Sequence, residues 1–247
     1  MLVSAAAVYG VGQATTFEYT DVAIEGATFT DRAAIVDALE AARGANLFAL
    51  VTRPLEEEIR TIPTVRGADV SVRLPSTLLV RVRERTAILI WRIGARRYLA
   101  DNEGRLFAKL PEQPTAATAA LPVIDDRRAA MVDLVVGATL DRVDLDAATR
   151  LGSLVPADVG SAADALLVFI SDANGFTIRT RPASWQAVFG FYTPTLRTPE
   201  LVPGQVRLLR SLLIGREPLV DKVILASETD GTFTLKPSPS PGASPTP

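Results

Sequence analysis

The chain has 247 residues, of which 48% are hydrophobic and 22% charged, with 26 basic and 28 acidic side chains and a formal net charge of −2. That material suffices for one to three globular domains. Histidine and cysteine are both absent, which removes imidazole acid–base chemistry, Ser-His-Asp and Cys-His catalysis, thiolate metal sites and disulfides. A near-neutral balance argues against nucleic acid as the main partner. No cofactor motif is present, and composition points to a binding or scaffolding protein.

Residues 1–17 carry no charged side chain, and Leu2, Val3, Val8, Tyr9 and Val11 make the first dozen mildly apolar. The stretch is too short to cross a bilayer alone and lacks the basic flank of a signal peptide. Residues 1–16 are either a leader or the outer end of a membrane helix, with Tyr9 at the membrane–water interface. At the other end, residues 237–247 read PSPSPGASPTP, the composition of a solvated, extended tail.

Residues 17–85 predict a first module. Val22 and Ile24 alternate with Asp21, Ala23 and Glu25 in a strand that ends at Gly26. Thr30 is the expected N-cap of a helix with Ile35, Val36, Leu39 and Ala42 on one face, stopped by Gly44. Thr52 and Pro54 open a second helix with Leu55, Ile59 and Ile62 inward. Glu56, Glu57 and Glu58 fan around that helix by about 100° each and so cannot converge on one ion. After Pro63, Val70, Val72 and Leu74 alternate with polar residues up to the Pro75-Ser76 turn. Leu78, Val80 and Val82 do the same beyond it, which predicts an antiparallel hairpin. The order is β-α-α-β-β, an α+β arrangement with an open strand edge.

Residues 86–236 predict a larger mixed β domain with one or two helices. Thr86 to Ala108 holds two or three strands, with turns at Gly94-Ala95 and Asp101–Gly104. Residues 111–120 read as a loop, and Asp125-Asp126, beside Arg127 and Arg128, as a surface turn. Residues 144–155 look helical, with Leu145, Ala148, Leu151 and Leu154 inward. Asp141, Asp144 and Asp146 are the best acid cluster, expected to cap that helix. Residues 165–170 form an apolar strand, Asn174-Gly175 a tight turn, and residues 176–189 a meander. The proline-rich 191–203 precedes a helix bearing Val206, Leu209, Leu212 and Leu213, and Gly215 stops it. The last pieces are Val223-Ile224-Leu225, a turn at Asp230-Gly231, and Phe233-Thr234-Leu235.

Three stretches in order, VAIEGATFTDRAAIVDALEAARGANLF (22–48), IPTVRGADVSVRLPSTLLVRVRER (62–85) and Trp91 followed by YLADNEGRLF (98–107), resemble the cell-division protein family FtsQ/DivIB. The "Phe-Gly, loop, helix" of residues 189–214 adds a looser fourth. The resemblance implies a single-pass membrane protein whose bulk is extracytoplasmic, with a POTRA domain and then a β domain, at the division septum. It implies no enzymatic activity, no cofactor, no nucleic acid and no small-molecule substrate. It implies recruitment and regulation of septal cell-wall synthesis through partners resembling FtsB and FtsL. In the family the FtsB contact adds a strand to the last strands of the β domain. Here those are Val223, Ile224, Leu225, Ala226, Phe233, Thr234 and Leu235. Ala226 stands where a tyrosine can occur, and Phe233 is the only ring in the region. Two other classes compete: a POTRA-containing chaperone or translocation module, and a cell-wall hydrolase using paired carboxylates.

Overall fold

The structure, a computed structural model, describes residues 17–110, 113 and 115–237. The readings made for residues 1–16 and for nearly all of the tail lie outside them. The chain divides into two compact units between Thr86 and Ala87.

The first unit runs β1 (Asp21–Glu25), α1 (Arg32–Ala38), α2 (Arg53–Ile59), β2 (Val65–Arg73) and β3 (Thr77–Glu84). The sheet order is β1-β3-β2, with β1 parallel and β2 antiparallel to β3. The alternation in the two hairpin strands puts Val70, Leu78, Val80 and Val82 on one face, where Ile35, Leu39, Leu55 and Ile59 cover them. Each of these side chains, fully buried, contributes about 1.5–3 kcal/mol relative to exposure. The cap of α1 falls one residue later than expected. Asp31 accepts from the Ala33 amide at 2.9 Å, while the Thr30 hydroxyl is engaged with that of Thr64 at 2.8 Å. Gly26 lets the chain leave β1 at φ +82°, with a Cβ there only 2.3 Å from the Val82 carbonyl oxygen. On the free side of β2, Glu56 of α2 accepts the Val70 amide at 3.2 Å, which blunts that edge.

The second unit adds β4 (Leu89–Ile93), β5 (Arg96–Ala100), β6 (Leu106–Lys109), α3 (Ala116–Ala119), β7 (Val123–Asp126), α4 (Arg142–Gly152), β8 (Ala165–Ser171), β9 (Gly175–Arg181), β10 (Gln186–Gly190), α5 (Val202–Leu213), β11 (Val220–Leu225) and β12 (Gly231–Leu235). They build a nine-stranded sheet in the order β12-β11-β10-β9-β8-β7-β4-β5-β6. The pairs β4–β7, β7–β8 and β10–β11 are parallel; α4 and α5 serve as the crossovers of the last two, and β5, β6 and α3 lie between the first pair. Both helices bury their apolar stripes on the face carrying Trp91, Ile124, Phe176, Ile178, Phe189 and Val223. On the other face Ile90, Leu99 and Phe107 make a small separate cluster. The whole is α+β, a small two-helix unit followed by a larger sheet.

Two segments differ from the sequence reading. Within 111–120, Thr115 caps the short helix α3 by accepting the Thr118 amide at 3.3 Å. Asp125 and Asp126 are not in a surface turn. They end the interior strand β7, 5% and 1% exposed, pointing to opposite faces of the sheet. Arg92 and Arg127 pair with Asp125. Arg128 bonds Asp126 and Asp144 at 2.7 Å each. These arginines neutralise the pair and are what let a strand carry two buried carboxylates.

Candidate partner-binding edge

The acid cluster offered for catalysis is absorbed by the fold. Asp141 caps α4 by accepting the Val143 and Asp144 amides at 2.8 and 3.3 Å. Asp144 is held by Arg128, and burial raises its pKa. Asp146 pairs with Arg150 at 2.8 Å. Among the described residues no group of three acids is placed to hold a metal ion.

The two margins of the large sheet differ. At β6 the segment 137–139 covers the start of the strand. The Leu106 amide donates to Ala138 at 2.8 Å, and the Gly137 amide to Leu106 at 2.7 Å. At the other margin, among the described residues, β12 pairs with β11 alone. The Lys236 amide donates to the Leu219 carbonyl at 2.8 Å, and the Asp230 carbonyl accepts from Ala226 at 2.9 Å. Residues 230 and 236 therefore point their backbone groups at β11. Strand alternation then turns the N–H and C=O groups of Gly231, Phe233 and Leu235 to the open side. That row is what an incoming strand pairs with.

The structure separates the seven predicted residues into two groups. Val223 and Leu225 are 0% and 1% exposed; they are core residues beneath α5 and cannot meet a partner with their side chains. Ile224, Ala226, Phe233, Thr234 and Leu235 are exposed. Phe233 lies opposite Val223, and Thr234 opposite Lys222. Phe233 and Val223 share the helix-bearing face, while Thr232, Thr234 and Ile224 share the other.

What holds the β11–β12 hairpin in place escaped the sequence reading. Its ladder to β10 comprises three register pairs, Gln186–Lys222, Ala187–Val223 and Val188–Ile224. Past the end of that ladder two side chains clamp the strand ends. Arg197 donates through Nη2 to the carbonyls of Phe189 and Leu225 at 2.6 and 2.7 Å, and through Nη1 to that of Ala226. Gln205, fully buried, donates Nε2 to the same Phe189 and Leu225 carbonyls at 3.3 and 3.2 Å. Its Oε1 accepts from the Tyr192 hydroxyl at 2.7 Å. Burial pushes the Tyr192 pKa well above its ordinary value of 10, so the phenol stays a donor. The signal in the sequence was a glutamine on the buried stripe of α5, at helical spacing from Val202, Leu209 and Leu213.

The hairpin is anchored at its other end too. Lys236 donates Nζ to the Pro218 carbonyl at 3.0 Å. Glu217 accepts from Trp185 Nε1 at 2.8 Å, from the Ala162 amide at 3.0 Å and from the Ser161 hydroxyl. Burial raises the pKa of this carboxyl, but these hydrogen bonds outweigh it and leave the pKa lowered. An edge fixed at both ends loses little freedom when it is paired, which favours association.

A β-α-α-β-β unit with the sheet order β1-β3-β2 defines a class of domain, the POTRA domain. Comparison with known proteins gives the kind. The family profile described as POTRA domain, FtsQ-type, matches residues 17–85. The chain is 34% identical over 93 residues to the cell division protein FtsQ of Rickettsia bellii (strain RML369-C), covering 38% of this chain and 35% of that one. It is 33% identical over 93 residues to FtsQ of Rickettsia felis (strain ATCC VR-1525 / URRWXCal2), with the same coverage. It is 29% identical over 102 residues to FtsQ of Rickettsia typhi (strain ATCC VR-144 / Wilmington), covering 41% of this chain and 38% of that one. The matched stretches thus span less than two-fifths of the curated relatives' length. The first unit is an FtsQ-type POTRA domain. The resemblance to FtsQ is borne out over those stretches. Among the described residues no helix is long and apolar enough to cross a membrane.

Proposed function

We propose that this protein is a non-enzymatic scaffold of the division machinery. It sits on the outer side of the cell membrane at the septum, tethered through residues ahead of Phe17. In this reading residues 17–85 are the POTRA domain, 86–236 the β domain and 237–247 a tail. The β domain takes a strand from a small membrane partner resembling FtsB, with one resembling FtsL in the same assembly, and so helps bring septal cell-wall synthesis to the site. The observation that carries it is the row of backbone groups of Gly231, Phe233 and Leu235 at a sheet margin that no other described strand pairs with. Ile224, Phe233, Thr234 and Leu235 are the side chains a paired strand would touch. Val223 and Leu225 act from below, by holding β11.

Phe233→Pro tests this. Proline removes one outward N–H and is tolerated on an edge strand, where the ladder to β11 does not use that donor. The expected result is loss of co-purification with an FtsB-like partner while the thermal unfolding of the chain stays cooperative. Undiminished recovery of the partner with Phe233→Pro rejects the edge. The rival hydrolase reading predicts turnover of peptidoglycan by the purified chain, and the scaffold reading predicts none.

A further inference from the structure

One end of the first unit carries a cluster of bare apolar side chains. Phe48 is 56% and Val51 68% exposed, on the loop between α1 and α2. The loop is clamped to the entry of the chain. The Leu47 amide donates to the Phe17 carbonyl at 2.9 Å, and the Tyr19 amide to Ala45 at 2.9 Å. Because that pairing is antiparallel, Phe48 lies beyond Phe17, on the side away from β1. Their rings meet edge to face with centroids 5.0 Å apart. The turn of the β2–β3 hairpin lies at the same end of the sheet, since the Thr20 amide donates to Ser76 at 3.0 Å; it adds Leu74, 51% exposed.

Three features of this end select its occupant. Sixteen residues without a charged side chain lead directly into Phe17. Between residues 41 and 55 the only charged side chains are Arg43 and Arg53. Their partners Glu40 and Glu57 form exposed pairs within one helical turn, which contribute little and give way easily. Glu18, opposite Asn46, and Asp21, bonded to Ser76, are set back on the β1 side of Phe17, whereas Arg43 and Arg53 flank the loop that carries Phe48 and Val51. Apolar side chains flanked by arginines are what a membrane–water interface accepts, with the apolar parts immersed and the guanidinium groups at the headgroups. From Val11 to Phe17 the chain reaches at most about 20 Å, so an apolar leader in lipid keeps this end near the surface.

We infer that the tip formed by Phe48, Val51 and the Phe17 ring docks into the headgroup layer of an anionic bilayer, which makes the POTRA domain a membrane-apposed unit with a fixed footing. The inference rests on the proposed tether ahead of Phe17. Phe29, 48% exposed, marks the opposite end of the unit beside Glu84 and stays in water.

The test uses the full chain carrying Phe48→Trp and vesicles of equal parts phosphatidylcholine and phosphatidylglycerol. The native Trp91 and Trp185 are buried and give a constant background. The expected result is flotation with the vesicles, a blue-shifted emission from the substituted position, and quenching by lipid brominated close to the headgroup. The same chain with Phe29→Trp floats without quenching beyond the background. Phe48→Ser combined with Val51→Ser lowers vesicle partition by about tenfold or more, the scale of one large apolar side chain returned to water. Flotation of the Phe48→Trp chain without quenching overturns the docking and leaves the tether standing. Failure to float overturns both. Emission already blue-shifted without lipid, and unchanged by it, means that the tip is covered by the leader or a second copy, and overturns the docking.

Discussion

Gln205→Leu is the substitution that isolates the clamp behind the proposed binding edge. The two side chains are close in volume, so the cost is a matter of hydrogen bonds and little else. Arg197 still serves the Phe189 and Leu225 carbonyls at 2.6 and 2.7 Å, and neither is orphaned. The Tyr192 hydroxyl is different. It lies in a residue only 8% exposed, and Gln205 Oε1 is its acceptor at 2.7 Å. Leaving it unsatisfied costs about 1–3 kcal/mol. The loss of the two longer Nε2 bonds is offset in part by the burial of leucine, and the net loss comes to about 2 kcal/mol. For a unit of this size that lowers the melting temperature by roughly 4–8 °C. Adding Tyr192→Phe removes the stranded hydroxyl, and most of the stability returns. The double-mutant cycle then reads a coupling of at least about 1 kcal/mol. Urea unfolding measures the cycle, and amide exchange by mass spectrometry adds where the opening occurs. Residues 220–235 should exchange faster than the core around Trp91, because three ladder pairs and the clamp attach that hairpin to the sheet. A single variant within about 0.5 kcal/mol of wild type, or a double variant that simply sums the two losses, refutes the assignment of the clamp.

Three further outcomes concern charged side chains. Arg128→Met strands Asp126, whose side chain is fully buried, and Asp144 beside it; a loss of about 3–5 kcal/mol in urea unfolding is expected. Arg53→Met, at the exposed pair with Glu57, leaves the same midpoint unchanged. Glu84 carries a pH dependence. Burial pushes its carboxyl up, but hydrogen bonds from the Thr30 hydroxyl and the amides of Thr30, Thr28 and Phe29 outweigh it, and the pKa lies below the ordinary 4.5. A lowered folded-state pKa means stability fully present above 4.5 and lost as pH falls through the lower value. Glu84→Gln should therefore destabilise the chain at neutral pH and converge with wild type in acid, as urea midpoints across pH will show; a gap that persists in acid refutes the role.

Several elements were legible because their physics is local. Val70, Leu78, Val80 and Val82 declared a half-buried hairpin by alternation alone, and Ile35 and Leu39 a helix face by spacing. The limits of that kind of reading show at Asp125 and Asp126. Two acids followed by two arginines look like a solvated turn, and only the position of β7 inside the sheet, with Arg92 brought in from β4, makes them a buried strand end. Thr30 was the expected cap, but its hydroxyl is engaged by Thr64, thirty-four residues away, and Asp31 caps the helix in its place. At the edge, alternation could mark Val223 and Phe233 as partners in pattern but not that one is core and the other rim.

Composition and periodicity by themselves determined that this chain has no imidazole or thiol chemistry, that a two-helix α+β unit precedes a mixed β region, and that a hairpin of short strands closes it. The tertiary structure alone decided which strand ends up at a margin and which carbonyls need a clamp. Helix and strand signals depend on residues two to four positions apart, and side chains write them. Sheet order arises from pairings such as β4 with β7 and β10 with β11, made through backbone groups that are the same at every position. The open row at Gly231, Phe233 and Leu235 therefore has no sequence signature of its own; it exists because no other part of the described chain pairs with it.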